Sequence, residues 1–175
     1  ISICGACMMY HTEYADNGMQ KMSVLPIRQE NMFFGKFVIA ALVLSAMAVI
    51  EMAVLSGCAK YWFQSYVFDL AEILKIAGFQ IVVTLPTVML MLVIASACRN
   101  MWISLGIGVI LVFTLSILPQ DNAVLSLFPF ASPYQIFSAS VGNSRAVLFL
   151  AACGIETVLF GIAEVVYLKV RRCFE

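Results

Sequence analysis

Charge and histidine are scarce in this 175-residue sequence: 11% of its residues are charged and one is a histidine. Soluble domains are about half apolar and about a quarter charged, whereas this chain is 63% hydrophobic and has a mean hydropathy of +1.00. The low charge therefore excludes an ordinary soluble domain. The single histidine, with no HExxH or GxSxG motif in the sequence, argues against a metallohydrolase or an acyl-transfer enzyme.

The sequence also lacks the GxxxxGK[ST] motif, so the chain has no phosphate loop with which to bind and hydrolyse ATP. Cys4 and Cys7 form one CxxC pair, but a zinc site needs about four ligands and no second pair follows. We interpret these cysteines as small residues of a membrane helix. We expect no cofactor, no metal, no nucleic-acid partner and no enzymatic activity of the chain itself.

Long apolar runs are the dominant positive feature. Four runs approach or exceed the ~20 residues that cross a bilayer core of about 30 Å, at 37–57, 73–98, 101–119 and 146–168. Because lipid requires every backbone polar group to be bonded internally, these runs predict an all-α fold: a polytopic transmembrane helical bundle forming a single domain over 1–175. Residues 1–10 are apolar but too short to cross, and we expect them to be the tail of a preceding span in an N-terminally truncated chain.

The basic residues predict the orientation. If residues 11–36 are cytoplasmic, seven of the ten lysines and arginines lie inside, as the positive-inside rule favours: Lys21, Arg28, Lys36, Arg99, Lys169, Arg171 and Arg172. The tail at 169–175 is then cytoplasmic as well. The outer segment 120–145 is too apolar and proline-rich for an aqueous loop, so we expect it to re-enter the membrane.

The polar segment 11–36, HTEYADNGMQKMSVLPIRQENMFFGK, interrupts the apolar sequence on the predicted cytoplasmic side. Its pattern fits a short amphipathic helix lying on the membrane, followed by a second helix that Pro26 begins. A solvated linker at the membrane surface is an equally open interpretation, because the Asn17-Gly18 pair favours a turn.

Three carboxylates, Glu51, Glu156 and Glu164, fall within apolar runs. An ionised carboxylate in hydrocarbon is costly and normally faces the bundle interior, water or a partner. One interpretation is a translocation path that includes Glu51, Gln80 and Glu156. The other is structural, and for Glu164 we favour a side chain that reaches the inner surface near Lys169.

We expect structural roles for two glycines and one proline. Gly106 and Gly108 are expected to allow close helix packing rather than to bind a ligand. Pro86 is expected to kink its span.

The stretch LPIRQENMFFGKF resembles the sequence before the third span of ABC type-2 exporter permeases. There, a Leu-Pro-[Ile/Val]-[Ser/Thr]-[Arg/Lys] element precedes a Gly-Lys pair at the membrane. Leu25, Pro26 and Ile27 match this element, Arg28 stands one place early, and Gly35-Lys36 matches the pair. The span layout also resembles that of the family, and most of all the lantibiotic-protection and bacitracin-type permeases. Since members usually have six spans, the resemblance implies that the first span and part of the second are missing here.

The resemblance implies that a separate ABC ATPase subunit binds and hydrolyses ATP, while this chain forms part of the transport path. Segment 11–36 would be the coupling helix that rests on this ATPase, and a second permease subunit, identical or paralogous, would complete the path through membrane lipid. The implied ATPase contacts are Glu13, Tyr14, Asp16, Met19, Lys21 and Arg28. The residues implied to set the entry of the next span are Leu25, Pro26, Ile27, Gly35 and Lys36.

The resemblance further implies export of an amphiphile, such as a lantibiotic or another peptide antibiotic, from a bacterial plasma membrane. Two other classes stay open from the residues alone. An ion- or proton-coupled secondary transporter would use the intramembrane glutamates, Glu51 and Glu156. A non-transporting scaffold or sensor would use neither these glutamates nor the coupling segment.

Overall fold

The computed structural model describes residues 2–15, 29–62, 70–98, 100–117, 128–129 and 145–174. In these ranges the chain forms five helices and no strand, so the predicted all-α class is confirmed. The helices are α1 (Ser2–Ala15), α2 (Gln29–Trp62), α3 (Leu70–Ala97), α4 (Met101–Ile117) and α5 (Arg145–Phe174). The end of the bundle where α1, α3 and α5 finish and α2 and α4 begin is called the inner end.

Three of the four predicted spans are long and apolar enough to cross a membrane: those in α2, α3 and α5. The fourth, α4, has 17 residues in the described part of the chain. At ~1.5 Å per residue it is about 25 Å long, somewhat less than a hydrocarbon core of about 30 Å.

The helix ends differ from the boundaries that the apolar runs predict. Helix α1 does not stop at residue 10 but continues to Ala15, so Glu13 and Tyr14 belong to its last turn. Helix α2 begins at Gln29, eight residues before the apolar run at 37–57, and it contains Gly35 and Lys36. The physical reason is that glutamate, glutamine and lysine are good helix formers, so a helix can extend beyond the apolar run that marks its span.

Helix α3 forms the centre of the bundle. Half of its apolar span is buried, compared with 6% of the corresponding window of α2. Its inner half packs against α1 and α2 in the main core, whose buried members are Ala6, Cys7, Tyr10, Phe33, Val88, Met89, Met91, Leu92 and Ala95. Its outer half packs against α5 through Phe79, Val83 and Cys153. Because both helices run toward the inner end, α3 and α5 are parallel.

Pro86 is buried inside α3, which continues through it without a break. The next residue, Thr87, donates its hydroxyl hydrogen to the carbonyl oxygen of Pro129. Thr87 is ten residues from the inner end of α3, about 15 Å along the axis. Pro129, in the segment predicted to re-enter the membrane, therefore packs beside the middle of α3.

Gly108 provides the close packing expected of it, whereas Gly106 does not. A Cβ atom at Gly108 would lie 2.8 Å from Ile3 Cγ2 of α1 and 2.9 Å from Met91 Cε of α3. A Cβ atom at Gly106 would meet nothing within 4 Å among the described residues. Within the described part of the chain, Gly108 but not Gly106 lets α4 approach two neighbouring helices closely.

We therefore expect Gly108→Val to destabilise the bundle and Gly106→Val, the matched control on the same helix, to leave it nearly unchanged. Forcing extra atoms into a packed site costs about 1–3 kcal/mol, which corresponds to a gap of roughly 2–12 °C between the two unfolding temperatures. Thermal unfolding of both purified variants in one detergent measures the gap. Coincident unfolding curves would contradict the packing role of Gly108.

Candidate functional site

An ion pair joins α1 to α2 at the inner end. Lys36 Nζ lies 2.5 Å from Glu13 Oε2, and the two side chains are only 14% and 15% exposed. The ammonium group of Lys36 also lies 3.6 Å from the centroid of the Tyr10 ring, a cation–π geometry. Glu13 precedes residues 16–28 and Lys36 follows them. The pair thus connects the two flanks of a segment that itself lies outside the described residues.

Tyr14 extends this connection to α3. Its ring stacks on that of Tyr10, with centroids 6.4 Å apart and planes at 30°. Its hydroxyl group donates a hydrogen bond of 2.7 Å to the backbone oxygen of Ser96. Carbonyl groups in the last turn of a helix lack an intrahelical donor, and Ser96 lies in the last turn of α3. Tyr14 therefore fastens the end of α1 to the end of α3.

Glu164 brings α5 into the same region. Its side chain is fully buried, and Phe160 and Leu168, one turn before and one turn after it on α5, pack against the main core that contains Tyr10 and Phe33. The expectation that Glu164 reaches the surface near Lys169 is therefore wrong. Residues five apart on a helix are separated by about 140° around its axis, so Glu164 can point inward while Lys169 is exposed.

These residues form one group at the inner end, which we call the inner cluster: Tyr10, Glu13, Tyr14, Lys36, Ser96 and Glu164. It contains two carboxylates and one ammonium group, contributed by α1, α2 and α5. The Glu13–Lys36 ion pair is largely shielded from water, which strengthens the attraction between its two charges. A displacement of one helix end therefore changes the interactions of the other helices that meet there.

The sequence-predicted ATPase contacts and span-entry residues are only partly described. Glu13 and Tyr14 belong to the inner cluster and have partners within the chain. Asp16, Met19, Lys21 and Arg28 lie outside the described residues, as do Leu25, Pro26 and Ile27. Gly35 is exposed on α2 with open space around its Cβ position. Glu13 and Lys36, assigned to separate roles from the sequence, are thus direct partners.

The three residues of the predicted translocation path do not share one place. Gln80 and Glu156 are both half-buried and lie at the same level of the α3–α5 interface. This follows from the packing of Phe79, the neighbour of Gln80, against Cys153, which is one turn before Glu156. Glu51 instead lies on the exposed side of α2.

Sequence reasoning did not assign Tyr10 or Ser96 to the site and gave Glu164 a different position. The sequence does contain a pattern that places Tyr10 next to Tyr14. Residues four apart on a helix are neighbours, and Tyr10 precedes Tyr14 by four. The sequence prediction instead places Tyr10 in the tail of a membrane span and Tyr14 in a separate cytoplasmic segment. Ser96 could not have been found, since its backbone oxygen rather than its side chain makes the contact.

Cys7, from the CxxC pair, is buried and donates a weak hydrogen bond of 3.4 Å to Ser104 Oγ of α4. Cys4 is exposed. Among the residues that the structure describes, no group of three histidine, cysteine or acidic side chains is placed to hold a metal ion. The contact of Cys7 therefore serves the packing of α1 against α4.

Comparison with known protein families gives one finding: residues 1–115 match the family described as ABC-2 family transporter protein. The matched region contains α1, α2, α3 and most of α4, and so includes every residue of the inner cluster except Glu164. No curated protein and no solved structure gives a significant match to this chain.

Proposed function

This chain belongs to the ABC-2 family of transporter proteins, and we propose that it is the permease subunit of an ATP-driven exporter whose ATP is hydrolysed by a separate subunit. A permease without a phosphate loop receives its energy through contact with another protein. The observation that supports this proposal is the Glu13–Lys36 ion pair, which connects the two flanks of the 16–28 segment. A partner that moves this segment would move α1 and α2 together.

The inner cluster suggests how such a movement spreads. Tyr14 connects α1 to α3 through its hydrogen bond to Ser96, and the main core, against which Phe160 and Leu168 pack, connects these helices to α5. Packed helices switch between discrete arrangements rather than deforming continuously. We propose that closure of the ATPase subunit shifts the coupling segment. The inner cluster would then convert this shift into a rearrangement of the four helices that contribute to it, α1, α2, α3 and α5.

The proposed location is a bacterial plasma membrane, with segment 16–28 and the C-terminal tail in the cytoplasm. The supporting feature is the excess of lysine and arginine on that side. A second permease subunit would pair with this one. The proposed substrate is an amphiphile such as a lantibiotic or another peptide antibiotic, supported by the resemblance of the short span layout, with no attached ATPase, to the lantibiotic-protection and bacitracin-type permeases.

Purification of the tagged chain from membranes of its own host tests the proposal. We expect an ABC ATPase subunit to co-purify, and the purified complex to hydrolyse ATP. The Lys21→Glu variant is expected to bring down less ATPase, because Lys21 is a proposed contact. Purification without any ATPase would contradict the exporter proposal.

The second candidate function is an ion- or proton-coupled transporter, and the level shared by Gln80 and Glu156 in the α3–α5 interface favours it. A carboxylate inside the membrane is a common proton or ion carrier. In this case, Glu156 would be the coupling group.

We expect Glu51→Gln and Glu156→Gln to keep efflux within about threefold of the unmodified protein, since changes outside functional contacts typically alter free energies by about 0.5 kcal/mol. Efflux is measured in cells with and without an ionophore that collapses the proton gradient. In an exporter driven by ATP, brief ionophore treatment leaves efflux in place while ATP lasts. Loss of efflux both in Glu156→Gln and with the ionophore would favour the carrier.

A further inference from the structure

A groove lies on the side of the bundle where α2, α3 and α5 meet, with a volume of about 540 Å³. This volume is within the range of about 300–1,000 Å³ typical of small-molecule sites. Its walls are mainly apolar, formed among others by Phe34, Phe37, Met89, Val158 and Ile162. The hydroxyl group of Thr157, at one end, donates to the backbone oxygen of Cys153 in its own helix. The walls of the groove therefore favour a hydrocarbon.

The length of the groove matches one leaflet of a bilayer. Along α5 it extends from Thr157 to Lys169, which is twelve residues or about 18 Å at the rise of an α-helix. Half of a hydrocarbon core of about 30 Å is about 15 Å. Within the apolar span Phe149–Val170, the groove begins at Thr157, near the middle of the span, and ends at Lys169, one residue before the end of the span.

The charge at the end of the groove is positive. Lys169 is exposed at its inner end, and in the described part of the chain no carboxylate forms an ion pair with it. The sequence continues with Arg171 and Arg172. Basic pockets between helices on the cytoplasmic side of a membrane attract anionic lipid headgroups.

We propose that this groove binds one anionic phospholipid, with an acyl chain along α5 and the phosphate group on Lys169. The apolar walls, the length of one leaflet and the terminal cation together match this ligand. The groove and the inner cluster use neighbouring residues of the same helices: Phe34 lies two residues before Lys36 in α2, and Gly161 lies three residues before Glu164 in α5. A lipid bound there contacts the same three helices, α2, α3 and α5. The proposal does not depend on ATP-driven transport.

The test uses the purified chain in detergent, with phosphatidylglycerol and phosphatidylcholine of identical acyl chains as probes. Native mass spectrometry counts the retained lipids, and unfolding temperatures report stabilisation by binding. We expect one phosphatidylglycerol per chain, preferred over phosphatidylcholine by about fivefold, the contribution of one lysine at a lipid surface. Lys169→Gln is expected to abolish the preference, while Lys75→Gln, which changes an exposed lysine near the other end of α3, keeps it.

A second pair of variants tests the apolar part of the site. Ile162→Trp fills the groove, and we expect it to reduce retention of both lipids severalfold. Leu159→Trp adds the same ring to α5 at an exposed position that does not line the groove, and we expect it to retain both lipids. Because both positions are exposed, both variants are expected to fold, which size-exclusion chromatography checks.

Three results would overturn the proposal. Equal retention of the two lipids by the unmodified chain would show that the retained molecules are ordinary surrounding lipid and not a specifically bound anionic lipid. Unchanged lipid retention in Ile162→Trp would place the lipid elsewhere. The third result is an unmodified chain that is dimeric and retains no lipid, together with an Ile162→Trp variant that is monomeric. This result would assign the groove to a second copy of the chain.

Discussion

Replacing Lys36 by methionine is expected to lower the unfolding temperature by roughly 6–20 °C. The change keeps an unbranched side chain of similar length but removes the cation that pairs with Glu13 and lies over the Tyr10 ring. Removing one partner of a buried ion pair costs about 3–5 kcal/mol, because the remaining charge is left shielded from water. For a chain of this size, 1 kcal/mol corresponds to about 2–4 °C.

Lys75→Met is the matched control, since it removes the same charge from an exposed position of α3. We expect it to change the unfolding temperature by about 2 °C or less. Adding Glu13→Gln to Lys36→Met is expected to recover part of the lost stability. The neutral amide of glutamine then replaces the carboxylate that lost its partner. Equal unfolding temperatures for the Lys36 and Lys75 variants would contradict the inner cluster as a stabilising unit.

Lys21→Glu is expected to reduce ATP-driven efflux at least about tenfold while leaving the unfolding temperature of the isolated chain unchanged. Lys21 lies in the segment proposed to rest on the ATPase subunit, and a like-charge contact at a protein interface costs several kcal/mol. Each 1.4 kcal/mol reduces binding tenfold. Efflux from cells and the amount of co-purified ATPase are measured together.

The control for this variant is Lys75→Glu, the same reversal on α3 away from the inner end, which is expected to keep both efflux and ATPase binding. Normal efflux in Lys21→Glu would contradict the coupling role of the segment. The two lysine experiments also separate two causes of lost transport. Lys36→Met is expected to lower the unfolding temperature of the permease, whereas Lys21→Glu is expected to lower ATPase binding without changing that temperature.

The long helices could be predicted almost completely from apolar runs. The run at 73–98 corresponds to α3 (Leu70–Ala97), and the run at 146–168 lies within α5 (Arg145–Phe174). The helix ends could not be predicted in this way. The residues around Glu13 and Gln29 are polar, and hydropathy does not distinguish a polar helical turn from a polar loop.

The candidate site was recognised only in part from the sequence. Glu13 and Lys36 were both selected, but as an ATPase contact and a span-entry residue. Their pairing spans 23 positions and requires α1 and α2 to lie side by side at the inner end. Glu164 is more than a hundred residues away from both, and its burial depends on how α5 packs.

The sequence by itself determined that this chain is a bundle of membrane helices without a phosphate loop, because composition and motif are properties of the chain alone. It also carried the resemblance to the ABC-2 permeases, which the family match to residues 1–115 supports. Only the tertiary structure decided that Tyr10, Glu13 and Lys36 meet while Glu164 is buried on α5, and that a groove between α2, α3 and α5 ends at Lys169. The physical reason is that both features depend on the rotation and register of packed helices, which apolar runs in lipid leave undetermined.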